Sequence, residues 1–579
     1  MLMALELAFV KLFLAFLLAV TLTSCSLTRP GPEPGTLRVN IQAEPPSLDW
    51  NVTTDSTSFD VISNIMVGLT QYTNDLEAKP ACAESWDVLD GGTRYLFHLR
   101  PHVKWSDGQD VVAADFEYAW KRLLNPKTAA QYAYFLYPVK NAFEYNTGKV
   151  ANPDSVGVKA IDNRTLEVRL AKPAAYFIYL TAFSVSWPIR KDIVERFGDR
   201  WTEPEHIVTN GPFLLTRWEH EYKIELTANS NFFEGPPKLK KIKMFMIPEQ
   251  ATAFALYEND ELDFVDNRSF STADVERYKH SPEYRNYPLL RNNYLAFNVE
   301  KRPFDDKRVR QAVAMAIDRQ VFPKILRRGE RPSFSWIPPG MIGYSSDTGL
   351  RFDPARARKL LAEAGFPDGK GFPGVELLYP NREDTRLVVE SIQDELKRNL
   401  NIHVELVNQE WKVYLSTVRN DPPPMFRATW GADYPDPETF INLFTTHNGN
   451  NDTRWSNADY DALVDRASGE QNPKTRADLY CRADQMLCGS QVPIVPTFLS
   501  TQNTMVKPWV HGVAANALDL QFFKTITIDE SGSQKLTNGT TVGAMPGIAR
   551  QSTLIAGNRA TPGVAPTGQH DALAPSVSR

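Results

Sequence analysis

In the run Trp430-Gly431-Ala432-Asp433-Tyr434-Pro435-Asp436-Pro437-Glu438-Thr439-Phe440, one acid follows a short apolar strand and stands beside a tryptophan and two prolines. A carboxylate at a strand end, shielded by rings and stiffened by Pro435 and Pro437, suits capture of a primary ammonium group. A charge-assisted hydrogen bond strengthens where water is thinned. Taken alone, the same run reads equally well as a turn acid opening a loop, since Asp and Pro are ordinary turn formers. Asp433, Asp436 and Glu438 also raise the possibility of paired carboxylates for glycoside cleavage, although sequence does not give their separation. Other chemistries lack their motifs: there is no His-Glu-x-x-His, no Gly-x-Ser-x-Gly and no phosphate-binding Gly-rich loop. His98 and His102 stand four apart, but Pro101 and a strand-like context speak against a helical metal pair. No two cysteines have the two-to-four residue spacing of a zinc site. No cofactor and no metal are expected.

The elements that must position these residues alternate. Leu37 to Ile41, Tyr95 to Leu99 and Thr165 to Leu170 read as strands, the last after an Asp162-Asn163 turn signal. Asp115 to Leu124, Val309 to Ile317, Pro354 to Ala364, Arg386 to Asn399 and Asn457 to Ala467 carry apolar residues at helical spacing. Asp353 before Pro354 predicts an N-cap with a first-turn proline, and Gly365 the C-terminal end. The class is α/β.

At 579 residues the chain exceeds the usual size of one core, so two or three domains are expected, with 42% hydrophobic and 23% charged residues as in globular proteins. A net charge of -5 favours neither nucleic acid nor an anionic membrane surface as partner. The apolar stretch Leu12 to Val20, preceded by Lys11, is too short to span a bilayer comfortably and reads as a signal peptide over residues 1–24. Leu22-Thr23-Ser24-Cys25 resembles the bacterial lipobox, which makes Cys25 a lipid-anchored N-terminus; plain secretion with cleavage elsewhere is the alternative. Residues 25–35, rich in Pro and Gly, suit a tether. Cys82, Cys481 and Cys488 then remain, so at most one disulfide forms within the chain. Cys481 and Cys488 lie about 10 Å apart along a helix, too far to pair, while Cys82 with either stays open. From about Thr527 the composition turns to Gly, Ala, Thr, Ser and Pro, and 529–579 is expected to be a disordered tail.

Many landmarks stand in a recognisable order. They include Ala83-Glu84-Ser85-Trp86, Lys104-Trp105-Ser106-Asp107-Gly108, Val208-Thr209-Asn210-Gly211, Asp306-Lys307-Arg308-Val309-Arg310, Val407-Asn408-Gln409-Glu410-Trp411 and Val506-Lys507-Pro508-Trp509. With the Asp433 run they closely resemble the oligopeptide-binding proteins of the family 5 extracellular solute-binding group, from about Leu37 to about Phe523. The resemblance implies a two-lobed periplasmic-binding-protein fold of type II, in its large three-domain variety, with a hinge between the lobes. Lobe I would take 36–66, 192–288 and 501–528, an extra domain 67–191, and lobe II 289–500. It implies a monomeric, non-enzymatic lipoprotein of the cell envelope, facing periplasm or exterior, that hands short peptides to the permease subunits of an ABC importer.

A binder indifferent to side chains must draw on the main chain, since micromolar affinity needs roughly 8 kcal/mol. An extended peptide that adds itself to a sheet edge, with charged termini gripped, meets that need. Onto this scheme the resemblance places Asp433 on the ligand's α-ammonium, Thr429 and Gly431 in backbone pairing, and Trp411 and Trp430 as pocket walls. Tyr132 closes over the ligand from the extra domain. Arg427 and Arg419 balance Asp433 or meet the ligand's carboxylate. The chain departs from close relatives at Thr385 and Leu326, where a His and a Lys meet ligand carboxylates, with Arg386 and Arg327 one place on. It departs also at Thr54, where they carry an acid, and at Gly431, where a disulfide cysteine can stand. A rival of the same fold would bind an oligosaccharide, a nickel chelate or haem.

Overall fold

The computed structural model describes residues 33–174 and 176–529. The expected signal peptide, Cys25, most of the tether and the tail beyond Asp529 lie outside the described residues.

Ten strands form one continuous mixed sheet. In chain order they are β1 (Thr36–Asn40), β2 (Phe213–Glu219), β3 (Lys223–Ala228), β4 (Lys241–Phe245), β5 (Phe264–Val265), β6 (Tyr284–Phe297), β7 (Val375–Pro380), β8 (Val404–Gln409), β9 (Met425–Gly431) and β10 (Ile494–Val506). In space the order is β8-β7-β9-β6-β10-β5-β1-β4-β3-β2, and the short strand Arg331–Pro332 pairs with β10. β1 is buried at every residue, and so are Asn292 to Phe297 of β6.

The antiparallel pair β6 and β10 is the centre of this sheet. At 14 and 13 residues these strands are long enough to serve two half-sheets. Residues Arg291 to Phe297 of β6 pair with β9, whereas Met505 and Val506 of β10 pair with β5. The β6–β10 register shifts between Pro288 and Asn292. Proline has no N–H to offer a ladder, and just beyond it Leu290 leaves the pairing, donating its N–H to Ala517 and accepting from Ala432 N–H, both at 2.8 Å. Such a break between two half-sheets is where a sheet bends most readily.

The helices expected from spacing form at Ala113–Leu124, Lys307–Ala316, Pro354–Glu363, Glu383–Leu400 and Ala458–Gly469. Asp353 caps the third, accepting from Arg356 N–H at 3.0 Å, and Gly365 follows it with φ of 98°. A separate antiparallel sheet, ordered Ala83–Leu89, Arg94–Leu99, Thr165–Arg169, Val158–Ala160, carries the Ala113–Leu124 helix. Tyr95, Phe97 and Leu99 point inward by strand alternation, and the helix buries Phe116, Trp120 and Leu123. Cys82, Cys481 and Cys488 are all unpaired, so the pairing left open for Cys82 is not made.

Two sequence landmarks are explained by packing. Asn210 mimics a strand, accepting from Val67 N–H at 2.9 Å and donating to Val67 O at 3.1 Å. Gly211 then lies so close to Ile65 that a Cβ on it would meet the Ile65 carbonyl carbon at 2.3 Å. Trp509 donates to Asp263 Oδ1 at 3.0 Å, on the same carboxylate that Arg38 of β1 grips from two nitrogens. Gly211→Ala is expected to destabilise the fold by about 1–3 kcal/mol through overpacking against backbone. An unchanged denaturation midpoint in this variant means that the Ile65 segment yields freely.

Candidate binding site

Between the two half-sheets lies a cavity of about 730 Å3. One wall is β9, whose neighbours differ along its length. β7 pairs only with Met425 and Phe426, while β6 pairs with all seven residues. From Arg427 to Gly431, therefore, the edge facing away from β6 has no strand partner among the described residues, and all five line the cavity. Unpaired N–H and C=O groups along a sheet edge are a template for another extended chain.

Asp433 follows this edge. Ala432 N–H bonds back to Leu290, and the turn through Pro435 and Pro437 brings Thr439 over the acid. Asp433 N–H donates to Thr439 Oγ1 at 3.1 Å, and that hydroxyl lies 3.2 Å from Asp433 Oδ2. Tyr132 OH donates to Oδ1 at 3.1 Å, and Tyr72 OH to the Asp433 carbonyl at 3.2 Å. The residue is 8% exposed, and no cation pairs with it among the described residues. Burial pushes its carboxyl up to about 8; the hydroxyls of Tyr132 and Thr439 oppose this, and the charge of Glu438 adds to it. A buried carboxylate held by neutral donors alone is ready for a cation brought from outside.

The eight residues singled out from the sequence all line this cavity. Tyr132 stacks on Trp430 with centroids 6.2 Å apart, and Trp430 donates its indole N–H to Thr439 O at 3.0 Å. Trp411 opens the helix Trp411–Asn420, capped by the Glu410 carboxylate, and stacks on Tyr414 at 5.9 Å. Thr429 and Arg427 both donate to Asn293 Oδ1 on β6, and Arg419 to Gln131 Oε1. Neither arginine pairs with Asp433. Burial lowers the Arg427 guanidinium to about 10, which raises the worth of any anion that reaches it. Gly431 leaves room for Arg291, whose Nε would lie 3.3 Å from an added Cβ.

Asp436 and Glu438 do not join Asp433 in the cavity lining. Asp436 is bonded to Arg476 at 2.7 Å, and Glu438 takes the hydroxyl of Tyr434. Thr54 and Leu326 line the cavity, but Thr385 is buried against Asp384, and Arg327 and Arg386 are exposed and away from the lining. Sequence reasoning missed Thr439, Tyr72, Asn293 and the basic residues Arg328 and Arg382. Thr439 stood in the Asp433 run itself, six residues on, within reach of a tight turn. The others come from distant strands and loops and carried no local signal.

Contacts cross the cavity. Arg382, after β7, donates to Gln42, after β1, at 3.1 Å, and the Tyr132–Asp433 and Gln131–Arg419 bonds tie the segment Gln131–Leu136 to the opposite wall.

The family model described as bacterial extracellular solute-binding proteins, family 5 Middle, matches residues 77–452. The chain belongs to family 5 of the bacterial extracellular solute-binding proteins. Membership makes it a binding protein rather than an enzyme, with the family's two-lobed fold. The oligopeptide-binding protein OppA of Bacillus subtilis is 33% identical to it over 492 residues, 83% of this chain and 90% of the relative. A relative in Escherichia coli named probable deoxycholate-binding periplasmic protein YgiS is 32% identical over 487 residues, 82% and 90%. The solved structure of the Escherichia coli murein tripeptide binding protein MppA superposes with a TM-score of 0.81 at 31% identity, covering 86% of this chain and 99% of that one. The unliganded open form of MppA reaches 0.60 at 32% identity, covering 87% and 99%. Family 5 lobes thus stand here nearer the first arrangement than the open one, in keeping with the contacts across the cavity.

Proposed function

We propose that this protein captures short oligopeptides between its lobes and delivers them to an ABC importer. Asp433 binds the α-ammonium, and the free edge of β9, at Thr429 and Gly431, pairs with the peptide backbone. Trp411, Trp430 and Tyr132 enclose the first side chains, and Arg427 or Arg419 meets a carboxylate. Lobe I comprises 36–66, 192–288 and 501–528, lobe II 289–500, and the extra domain 67–191; closure is a hinge motion about the β6–β10 pair. A ligand drives closure only by touching both lobes, which an extended peptide does. Cys25 carries the lipid that holds the monomer at the envelope membrane.

The observation that carries this reading is the buried Asp433, without a cation among the described residues, at the end of a strand edge that no described strand pairs. A second reading, a non-peptide ligand, is favoured by the relative named for deoxycholate. An uncharged sugar or an anionic sterol leaves Asp433 without a partner, so the two readings separate in one experiment. Calorimetry with tripeptides and their N-acetylated forms is expected to show binding for the free amines and a loss of roughly 3–5 kcal/mol on acetylation, which leaves the buried acid without its partner. Equal affinity for both removes the peptide reading. Native mass spectrometry of the purified protein would then identify the retained ligand by mass.

A further inference from the structure

Outside the cavity lining, the segment 67–191 meets the residues of lobe II at Tyr434. The Tyr434 ring lies against Tyr176, with centroids 5.8 Å apart and planes 6° from parallel, and meets Phe135 edge-on at 5.5 Å. All three rings are buried, and none of them lines the cavity. Phe143 also packs on His447 at 5.2 Å, and Lys172 Nζ donates to Asp465 Oδ1 at 2.6 Å and to the Asp465 carbonyl at 2.5 Å. Gly449, two residues beyond His447, lies so close to Gln131 that a Cβ on it would meet the Gln131 carbonyl oxygen at 2.3 Å and its Cα at 2.8 Å. These contacts differ in worth. The Lys172 and Asp465 side chains are 36% and 77% exposed, so their pair contributes little. The rings dominate, because returning a buried aromatic side chain to water costs about a factor of ten or more in an equilibrium constant.

The same segment is fixed to lobe I. Both of its chain connections, at 66–67 and 191–192, run to that lobe. Arg122 grips Asp49 from two nitrogens at 2.9 and 2.5 Å, Ser106 N–H donates to Thr209 O at 2.7 Å, and Asn51 donates to Val185 O at 3.0 Å. When the lobes part, the face on lobe II is therefore the one that lets go, and the stack on Tyr434 goes with it. We propose that the segment 67–191 is a clasp whose rings hold lobe II at Tyr434 from outside the cavity, so that a bound molecule leaves only when this grip is released. The clasp depends on the lobe assignment given above and not on the ligand being a peptide. Tyr176, Phe135 and Tyr434 stand apart from the cavity lining, so they slow the release of any ligand alike.

The test is stopped-flow dissociation of tri-alanine from the full chain, followed by tryptophan fluorescence, since Trp411 and Trp430 line the cavity. Tyr176→Leu removes the stack but keeps an apolar side chain in place, and is expected to release tri-alanine about threefold to tenfold faster than the natural chain. Tyr176→Phe keeps the ring and is expected to release it at the natural rate. The affinity lost on N-acetylation should be the same in all three proteins, because Asp433 is untouched. If Tyr176→Leu does not fold, Gly449→Ala serves. Gly449 has no left-handed φ, so alanine adopts its backbone and the added Cβ acts as a wedge against Gln131, which is expected to speed release by about fivefold or more. Release at the natural rate from the folded Tyr176→Leu, or from Gly449→Ala where it takes that place, overturns the clasp, as does equal acceleration in Tyr176→Phe. Failure of tri-alanine to bind the natural chain overturns the peptide reading instead, and the same rates are then measured with deoxycholate as the probe.

Discussion

Asp433→Asn is expected to weaken binding of an unblocked tripeptide by roughly 3–5 kcal/mol, between two and nearly four powers of ten, because the ligand ammonium is left buried and unpaired. The geometry supports so large an effect. The carboxylate is 8% exposed, its side-chain partners are the hydroxyls of Tyr132 and Thr439, and no competing cation stands by it among the described residues. N-acetylating the peptide is expected to cost the natural chain a comparable amount. Combining the two changes should add little to either, since each removes the same interaction. The four affinities form a cycle measurable by calorimetry. A strictly additive result means that Asp433 and the ammonium do not meet.

The same substitution is expected to act in the opposite direction on the ligand-free protein, and the sign follows from the proton. Burial, opposed by its hydroxyl partners, raises the Asp433 carboxyl from 3.8 to about 8 in the fold. Between those values the folded chain holds a proton that the unfolded chain has released, so stability declines as pH rises from about 4 to 8 and levels off above. The gap corresponds to a loss on the order of 5 kcal/mol, and opening of the cleft, which rehydrates the acid, reduces it. Asparagine carries no such loss. Ligand-free Asp433→Asn should therefore melt with the natural chain near pH 4 and several degrees above it at pH 8. Asp60 and Asp452 are also raised to near 7 by burial, but in both proteins, so they cancel in the difference between the two melting curves, which reports Asp433 together with its coupling to Glu438. With saturating tripeptide at pH 7 the order should reverse, because the ammonium restores the missing charge. A difference that stays flat from pH 5 to 8 shows instead that the acid is solvated when no ligand is bound.

Local pattern carried much of the framework. Asp353, Pro354 and Gly365 delimit a helix within one residue, since an N-cap, a first-turn proline and a left-handed glycine act over a few bonds. The alternation of Tyr95, Phe97 and Leu99 sets the inner face of a strand for the same reason. Departures were harder to place. Thr385, Arg386 and Arg327 stood where charge-reading side chains were sought, yet one is buried against Asp384 and two point away from the cavity. A single position along a helix rotates a side chain by about 100°, so counting along a chain does not fix what faces a cleft.

What this sequence determined by itself was the α/β class, most of the helices and strands, and the chemistry of one acid among rings and prolines, because these depend on neighbours within a few residues. Only the tertiary structure decided that β9 keeps an unpaired edge beside Asp433, and that Tyr132 and Tyr72 close on it across hundreds of residues. Those arrangements arise where the two halves of the sheet pack around a common pair of crossing strands. Contacts of that kind are set by the folding of the whole chain, and no stretch of it carries them alone.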